Sequence, residues 1–229
     1  MTLKKTLIFL VIIVCAVICS TLKFTSVTEV FKNNNFTVLL DAGHGEPDGG
    51  TTGYSGTVEK DINLSIAQKT REILEGKGIR VLMTRETDSG LQDENALTIR
   101  EMKVSDMNRR LEIMKNSNAD LFISIHMNSF PQKNVSGLRI FYSKAYEEIK
   151  PLAEEIQKEI SRISGAKSYA VKTADEKLFL MKNPPMPAIL AECGFLSNPD
   201  EEKHLNDEEY QSKIAWAMAR AVEKYYNTY

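Results

Sequence analysis

The sequence predicts an α/β fold: one three-layer domain with a mostly parallel, twisted sheet flanked by helices and a functional site at the carboxyl edge of the strands. Three observations predict it. From Phe36 onward, short apolar runs rich in β-branched residues alternate with longer runs of helical periodicity, the pattern of βαβ units. The chain has 229 residues, 42% hydrophobic and 26% charged, which suits one ordinary domain with a short appendage. His44, His126 and Glu192 all fall at or just after the ends of apolar runs, where open α/β sheets present their ligand sites.

In chain order, Phe36–Asp41 is the first apolar run. It ends in Asp41-Ala-Gly-His44-Gly, where glycines permit a sharp turn after a strand. The spacing over Val58–Glu75, with Ile62, Ile66, Ile73 and Leu74 on one side, predicts a helix that Gly76 and Gly78 stop. Ile79–Thr84 reads as a strand, and Thr98–Asn116 as an amphipathic helix carrying Met102, Met107, Leu111 and Met114. Leu121–His126 and Leu138–Tyr142 are strands, Tyr146–Ile163 is a helix, and Lys177–Met181 and Ala188–Cys193 read as two more strands. The prolines of Lys182–Pro187 cannot extend a central strand, so this is a loop, and Pro184, Pro185 and Met186 are expected to line a groove. Glu208–Tyr226 closes the domain, with Ile214, Ala217, Met218 and Ala221 as its core stripe.

The domain therefore runs over 36–229, behind two other segments. Residues 1–22 read as a signal peptide or N-terminal membrane anchor: Lys4 and Lys5 precede an apolar run from Leu7 to Cys19, extended by Ser20, Thr21 and Leu22. As a helix, Thr6 to Leu22 would span about 25 Å, slightly short of a hydrocarbon core of about 30 Å. An A-x-A-like cleavage site is absent, and the bulky Ile18 before Cys19 does not suit lipoprotein processing. The reading leans to an uncleaved anchor, with cleavage left open. Either way the domain is exported, membrane-anchored or secreted. Residues 23–35 form a polar tether ending in Lys-Asn-Asn-Asn.

The net charge is −2 and no block of Lys or Arg occurs, so nucleic acid is not the partner. Cys15 and Cys19 lie in the N-terminal segment, which leaves Cys193 alone in the exported part. One cysteine makes no internal disulfide, and the fold must stand on its core. Cys193 beside Glu192 reads as a small buried strand residue rather than a nucleophile.

The residues that carry chemistry are His44, Glu59, His126 and Glu192. Two imidazoles and a carboxylate are donors that zinc accepts, and a second carboxylate remains for proton transfer, as cleavage of an amide requires. Each has a plainer reading. A lone strand-end histidine is often structural, and Glu59 in the first turn of a helix can simply complement the helix dipole. His204, in the acidic stretch Asp200-Glu-Glu-Lys-His, reads as a solvated or capping residue. Asp41 is a candidate for orienting His44, as ligating histidines usually need a partner. Asn128 either positions the substrate or makes a turn. Arg85 and Arg110 either bind substrate carboxylates or pair with acids near in sequence, such as Glu86, Glu112 and Asp120.

Leu-Leu-Asp41-Ala-Gly-His44-Gly, Val-Glu59-Lys-Asp, Met-Thr84-Arg85, Ser-Ile-His126-Met-Asn128 and Ile-Leu-Ala-Glu192-Cys-Gly-Phe-Leu-Ser-Asn198-Pro occur in that order. As an ordered set they resemble the zinc-dependent N-acetylmuramoyl-L-alanine amidases of the cell wall, over about residues 36–226. Ala42 stands where that family usually has proline. The resemblance implies one zinc ion on His44, Glu59 and His126, with Glu192 as the catalytic carboxylate. It implies peptidoglycan as substrate, cut between muramic acid and L-alanine. The compact domain, the N-terminal hydrophobic segment and the polar insert Glu86–Leu97 are similar to the sporulation amidases. That implies action on spore cortex in the forespore intermembrane space, as a step toward muramic lactam. A partner protein that targets or activates the enzyme is a further expectation. The rival readings are a zinc carboxypeptidase on stem peptides and a non-catalytic wall-associated protein.

Overall fold

The strand Thr37–Ala42 (β1) is buried along its whole length, as a β-branched and leucine-rich run is when both faces of a parallel sheet are covered. It pairs in parallel with Arg80–Met83 (β2) on one side and Leu121–Asn128 (β3) on the other. Ala188–Phe195 (β6) extends the parallel set beyond β3. Arg139–Tyr142 (β4) is antiparallel to β6, and the two-residue strand Lys172–Thr173 (β5) completes the order β2-β1-β3-β6-β4-β5. This computed structural model describes residues 36–228. The readings of 1–22 as a signal or anchor and of 23–35 as a tether lie outside the described residues.

Helices Glu59–Glu75 (α1), Lys150–Ser164 (α3) and Glu208–Thr228 (α6) cover one face. Their apolar stripes meet Val38, Leu40, Ile123, Ile125, Ile189 and Ala191 in the larger core. Ile99–Asn116 (α2) and the single turn Phe179–Lys182 (α4) lie on the other face, over Leu39, Phe122, Ala188 and Leu190. Sheet and helices thus form the three layers the sequence predicts. The short helix Pro199–Leu205 (α5) joins β6 to α6. None of the described helices is long and apolar enough to cross a membrane.

Two elements differ from the sequence reading. Lys177–Met181, expected as a strand, is a turn leading into α4. Asp175 accepts from the Lys177 N–H at 2.8 Å through its side chain and from Leu178 N–H through its carbonyl, so turns replace a ladder. The second is α2. Its start matches, with a reciprocal capping box between Thr98 and Glu101. Of the expected stripe only Met114 is fully buried, joined by Arg110, because Met102 and Met107 face a cavity.

Candidate metal centre

The parallel register brings the candidate residues to one edge. His126 lies level with Glu192 across β3 and β6, and His44 follows β1 by two residues. His44 has φ 63°, a left-handed conformation uncommon outside glycine. Its carbonyl is held by Arg110 Nη2 at 2.5 Å. The neighbouring glycines are needed for clearance: a Cβ on Gly43 would lie 2.2 Å from the His126 ring, and one on Gly50 (φ 72°) would lie 2.5 Å from Glu59 Oε2.

His44, Glu59 and His126 converge, with one donor atom from each lying within 4.8 Å of the others. Glu59 Oε1 is 3.3 Å from His44 Nε2 and 3.0 Å from His126 Nδ1. The rings meet edge to face with centroids 4.9 Å apart. Glu59, 3% exposed, is therefore more than a complement to its helix dipole. Thr51 N–H donates to its Oε2 at 2.8 Å and Met127 N–H to its Oε1 at 3.1 Å. Burial opposes charge on both Glu59 and His44, but their contacts win. His126 and His44 hold the Glu59 carboxyl far below its ordinary range, and Glu59 with Asp48 raises His44 to about 9. The cluster thus favours positive charge. Two imidazoles and one carboxylate, a glycine cradle and an oriented histidine fit a zinc ion with an open position.

The residue orienting His44 is Asp48, not Asp41: His44 Nδ1 lies 2.9 Å from Asp48 Oδ2, which leaves Nε2 for the cluster. Asp41 instead accepts from Thr84 Oγ1 at 2.7 Å and Ser124 Oγ at 2.6 Å, and forms a short ion pair with Arg110. Arg110 also bonds Asp106 at 2.7 Å and the Ala42 carbonyl at 3.0 Å. Arg85, 4% exposed, gives its N–H groups to the carbonyls of Ala42, Gly43, Lys60 and Thr87. Both arginines are thus structural, although neither pairs with Glu86, Glu112 or Asp120, and both brace the strand and turn that carry His44. Asn128 makes a turn: its side chain accepts from Ser129 N–H at 2.8 Å. His204 is exposed and stacks on Tyr210.

Glu202 is a support that the sequence reading missed, having singled out only His204 from the acidic stretch. It is 2% exposed and accepts from Ser55 N–H at 2.9 Å and Thr57 N–H at 3.3 Å. It thereby fixes the loop whose Thr51 N–H holds Glu59. Glu202→Ala leaves those amides without their acceptor and is expected to lower stability by about 2 kcal/mol. Because the loop also sets Glu59, metal affinity should fall with it. Thermal unfolding and chelator competition check this. An unchanged affinity beside a lowered Tm would confine Glu202 to stability.

Glu192 points to the cluster's face of the sheet and Cys193 to the larger core, where Cys193 is 1% exposed and burial pushes its thiol up. That agrees with its reading as a packed strand residue. Glu192 is half-buried, and its Oε2 is sealed from solvent without a hydrogen-bond partner. Burial raises its carboxyl, with Glu59 adding and His126, His44 and Arg139 pulling back. His44, His126 and Glu192 line a cavity of about 810 Å³ whose wall also carries the apolar Ile99, Met102, Leu178 and Phe179 and the charged Lys103 and Asp106. The expected proline segment does not build that wall: Met186 is packed in the smaller core, and residues 177–181 line the cavity instead.

An α/β sheet edge with such donors beside an unpartnered carboxylate is the arrangement a metal-dependent hydrolase needs. The chain belongs to the N-acetylmuramoyl-L-alanine amidase family, which residues 38–224 match. It is 36% identical over 189 residues to the germination-specific N-acetylmuramoyl-L-alanine amidase of Bacillus subtilis, covering 82% of this chain and 79% of that protein. It superposes with a TM-score of 0.81 and 43% identity on the CwlD amidase from Clostridioides difficile, solved in complex with the GerS lipoprotein. That match covers 85% of this chain and 100% of the other. The catalytic domain of the CwlV amidase from Bacillus (Paenibacillus) polymyxa var. colistinus gives a TM-score of 0.71 at 28% identity, over 84% of this chain and 98% of that one. This chain is accordingly an N-acetylmuramoyl-L-alanine amidase of the cell wall, acting on peptidoglycan outside the cytoplasm.

Proposed function

We propose that this amidase is a zinc enzyme of spore cortex, in which His44, Glu59 and His126 hold the ion and Glu192 moves the proton. The observation that carries the reading is the unpartnered Glu192 Oε2 on the face where the three donors converge. When bound, zinc lowers the pKa of water to roughly 7 and polarises a carbonyl. Glu192 takes the proton from the attacking water and returns it to the leaving L-alanine nitrogen. Asp48 keeps His44 Nε2 turned inward, and the apolar residues of the cavity pack against the bound glycopeptide.

The cortex role rests on the kinship with the germination-specific enzyme of Bacillus subtilis. Removing stem peptides there supplies bare muramic acid for lactam formation, in the forespore intermembrane space, with the N-terminal segment as anchor. The CwlD relative solved with a lipoprotein supports a partner protein for this chain too. Digestion of purified cortex and vegetative peptidoglycan, with mass spectrometry of the products, tests the reading. Zinc-dependent release of whole stem peptides beginning at L-alanine, faster from cortex, is expected. Release of single terminal amino acids would mean a carboxypeptidase, and equal rates on both walls would remove the cortex preference.

A further inference from the structure

The leaving half of the substrate is a peptide with free carboxylates, and the arginines that the sequence offers for them, Arg85 and Arg110, are both consumed inside the scaffold. Arg139 is placed differently. It begins β4 and is the register partner of Glu192, with Phe141 opposite Leu190 two residues on. Directly opposed residues of an antiparallel pair project from the same face, with Cβ atoms about 5 Å apart. Arg139 therefore stands beside Glu192 on the face that carries His126 and Leu190, one strand further from the cluster.

Its guanidinium sits over two aromatic rings. It lies 4.3 Å from the Tyr169 ring centroid and 5.5 Å from that of Phe195. Stacking on aromatic faces occupies the plane of a guanidinium and leaves its N–H edge unused. Among the described residues the Arg139 side chain makes no hydrogen bond or close ion pair, although it is half-buried and its charge acts on the neighbouring Glu192 carboxyl. A cation so placed, whose planar fork of donors makes no hydrogen bond within the protein, is suited to a carboxylate supplied from outside.

We propose that Arg139 is a specificity-determining residue that binds a carboxylate of the stem peptide, on the residue next to the L-alanine whose amide is cut. The inference rests on the amidase activity and adds a subsite to it. Two muramyl tetrapeptides test it, differing only in whether the α-carboxyl of the second peptide residue is free or amidated. The wild-type protein is expected to favour the free acid by about 10- to 100-fold in kcat/KM, the worth of a charge-assisted pair. In Arg139→Gln that ratio should fall to near 1, with the loss appearing in KM for the free acid. Arg139→Lys, which keeps the charge without the fork, should retain part of it. Zinc content and Tm of each variant separate loss of binding from loss of folding, since a ratio survives a lowered active fraction. A wild-type ratio near 1 would overturn the proposal. An equal loss on both substrates in Arg139→Gln would also overturn it, assigning Arg139 to the electrostatics of Glu192. Failure of the wild type on both tetrapeptides, with natural peptidoglycan still cleaved, would place the recognised group elsewhere in the polymer and equally refute this subsite.

Discussion

Glu192→Gln is expected to lower kcat by about 10²- to 10⁴-fold, the usual contribution of a positioned general acid–base, while the protein keeps its metal. Glutamine preserves the volume of the side chain and removes its ability to accept and return a proton. Two structural facts set the direction. Glu192 Oε2 is buried with no partner, so no protein hydrogen bond is lost on substitution. Burial also works against its ionised form, so the variant should be at least as stable as the wild type. A large loss of rate without loss of stability is the signature of a group retained for chemistry. Steady-state kinetics on muramyl peptides, metal analysis and thermal unfolding give the three readouts. Loss of zinc would move Glu192 into the ligand set, and an unchanged kcat would remove it from proton transfer.

The layers, the strand edge and the grouping of His44, His126 and Glu192 were legible because they follow from local rules. Apolar runs bounded by turns make strands, and parallel strands present their carboxyl ends together. Glu59 was harder, since a first-turn acid has a sufficient local reason to exist, and only the fold brings it to 3.0 Å from His126. The supports were misassigned for the same reason. Asp41 sits three residues before His44 and looked like its partner, yet it lies within the strand and points to Arg110, while Asp48, beyond the turn, reaches the ring. Glu202 bonds amides some 145 residues away, a pairing that no local pattern announces. Lys177–Met181 failed as a strand because Asp175, through its side chain and its carbonyl, captures the Lys177 and Leu178 amides that a ladder would need. Arg139 is legible only through register, because its significance is the residue opposite it.

The second large effect is expected in the scaffold. Arg110→Met should lower the unfolding free energy by about 3–5 kcal/mol, the cost of removing one partner of a buried ion pair. Arg110 and Asp41 are each 1% exposed, and without the arginine Asp41 keeps only the hydroxyls of Thr84 and Ser124. For a domain of this size the loss is about 6–20 °C in Tm. The pH dependence identifies the cause. Burial alone would raise the Asp41 carboxyl, but Arg110, with Ser124, His126 and Thr84, holds it at about 2 against an ordinary 3.8. A carboxyl depressed by folding contributes stability that is complete above about pH 4 and is lost as pH falls through about 2. In Arg110→Met burial is the main remaining influence, so the carboxyl moves up and its cost is relieved by protonation as pH falls. The difference between the two proteins should therefore be widest near neutrality and narrow toward acid. Denaturant unfolding at about pH 7 and at about pH 3 measures it. A difference independent of pH would mean that the loss came from packing and from the carbonyls of Ala42 and His44, and not from the ion pair. Because one of those carbonyls belongs to His44 in its left-handed conformation, the same variant should also bind zinc more weakly, which chelator competition would read directly.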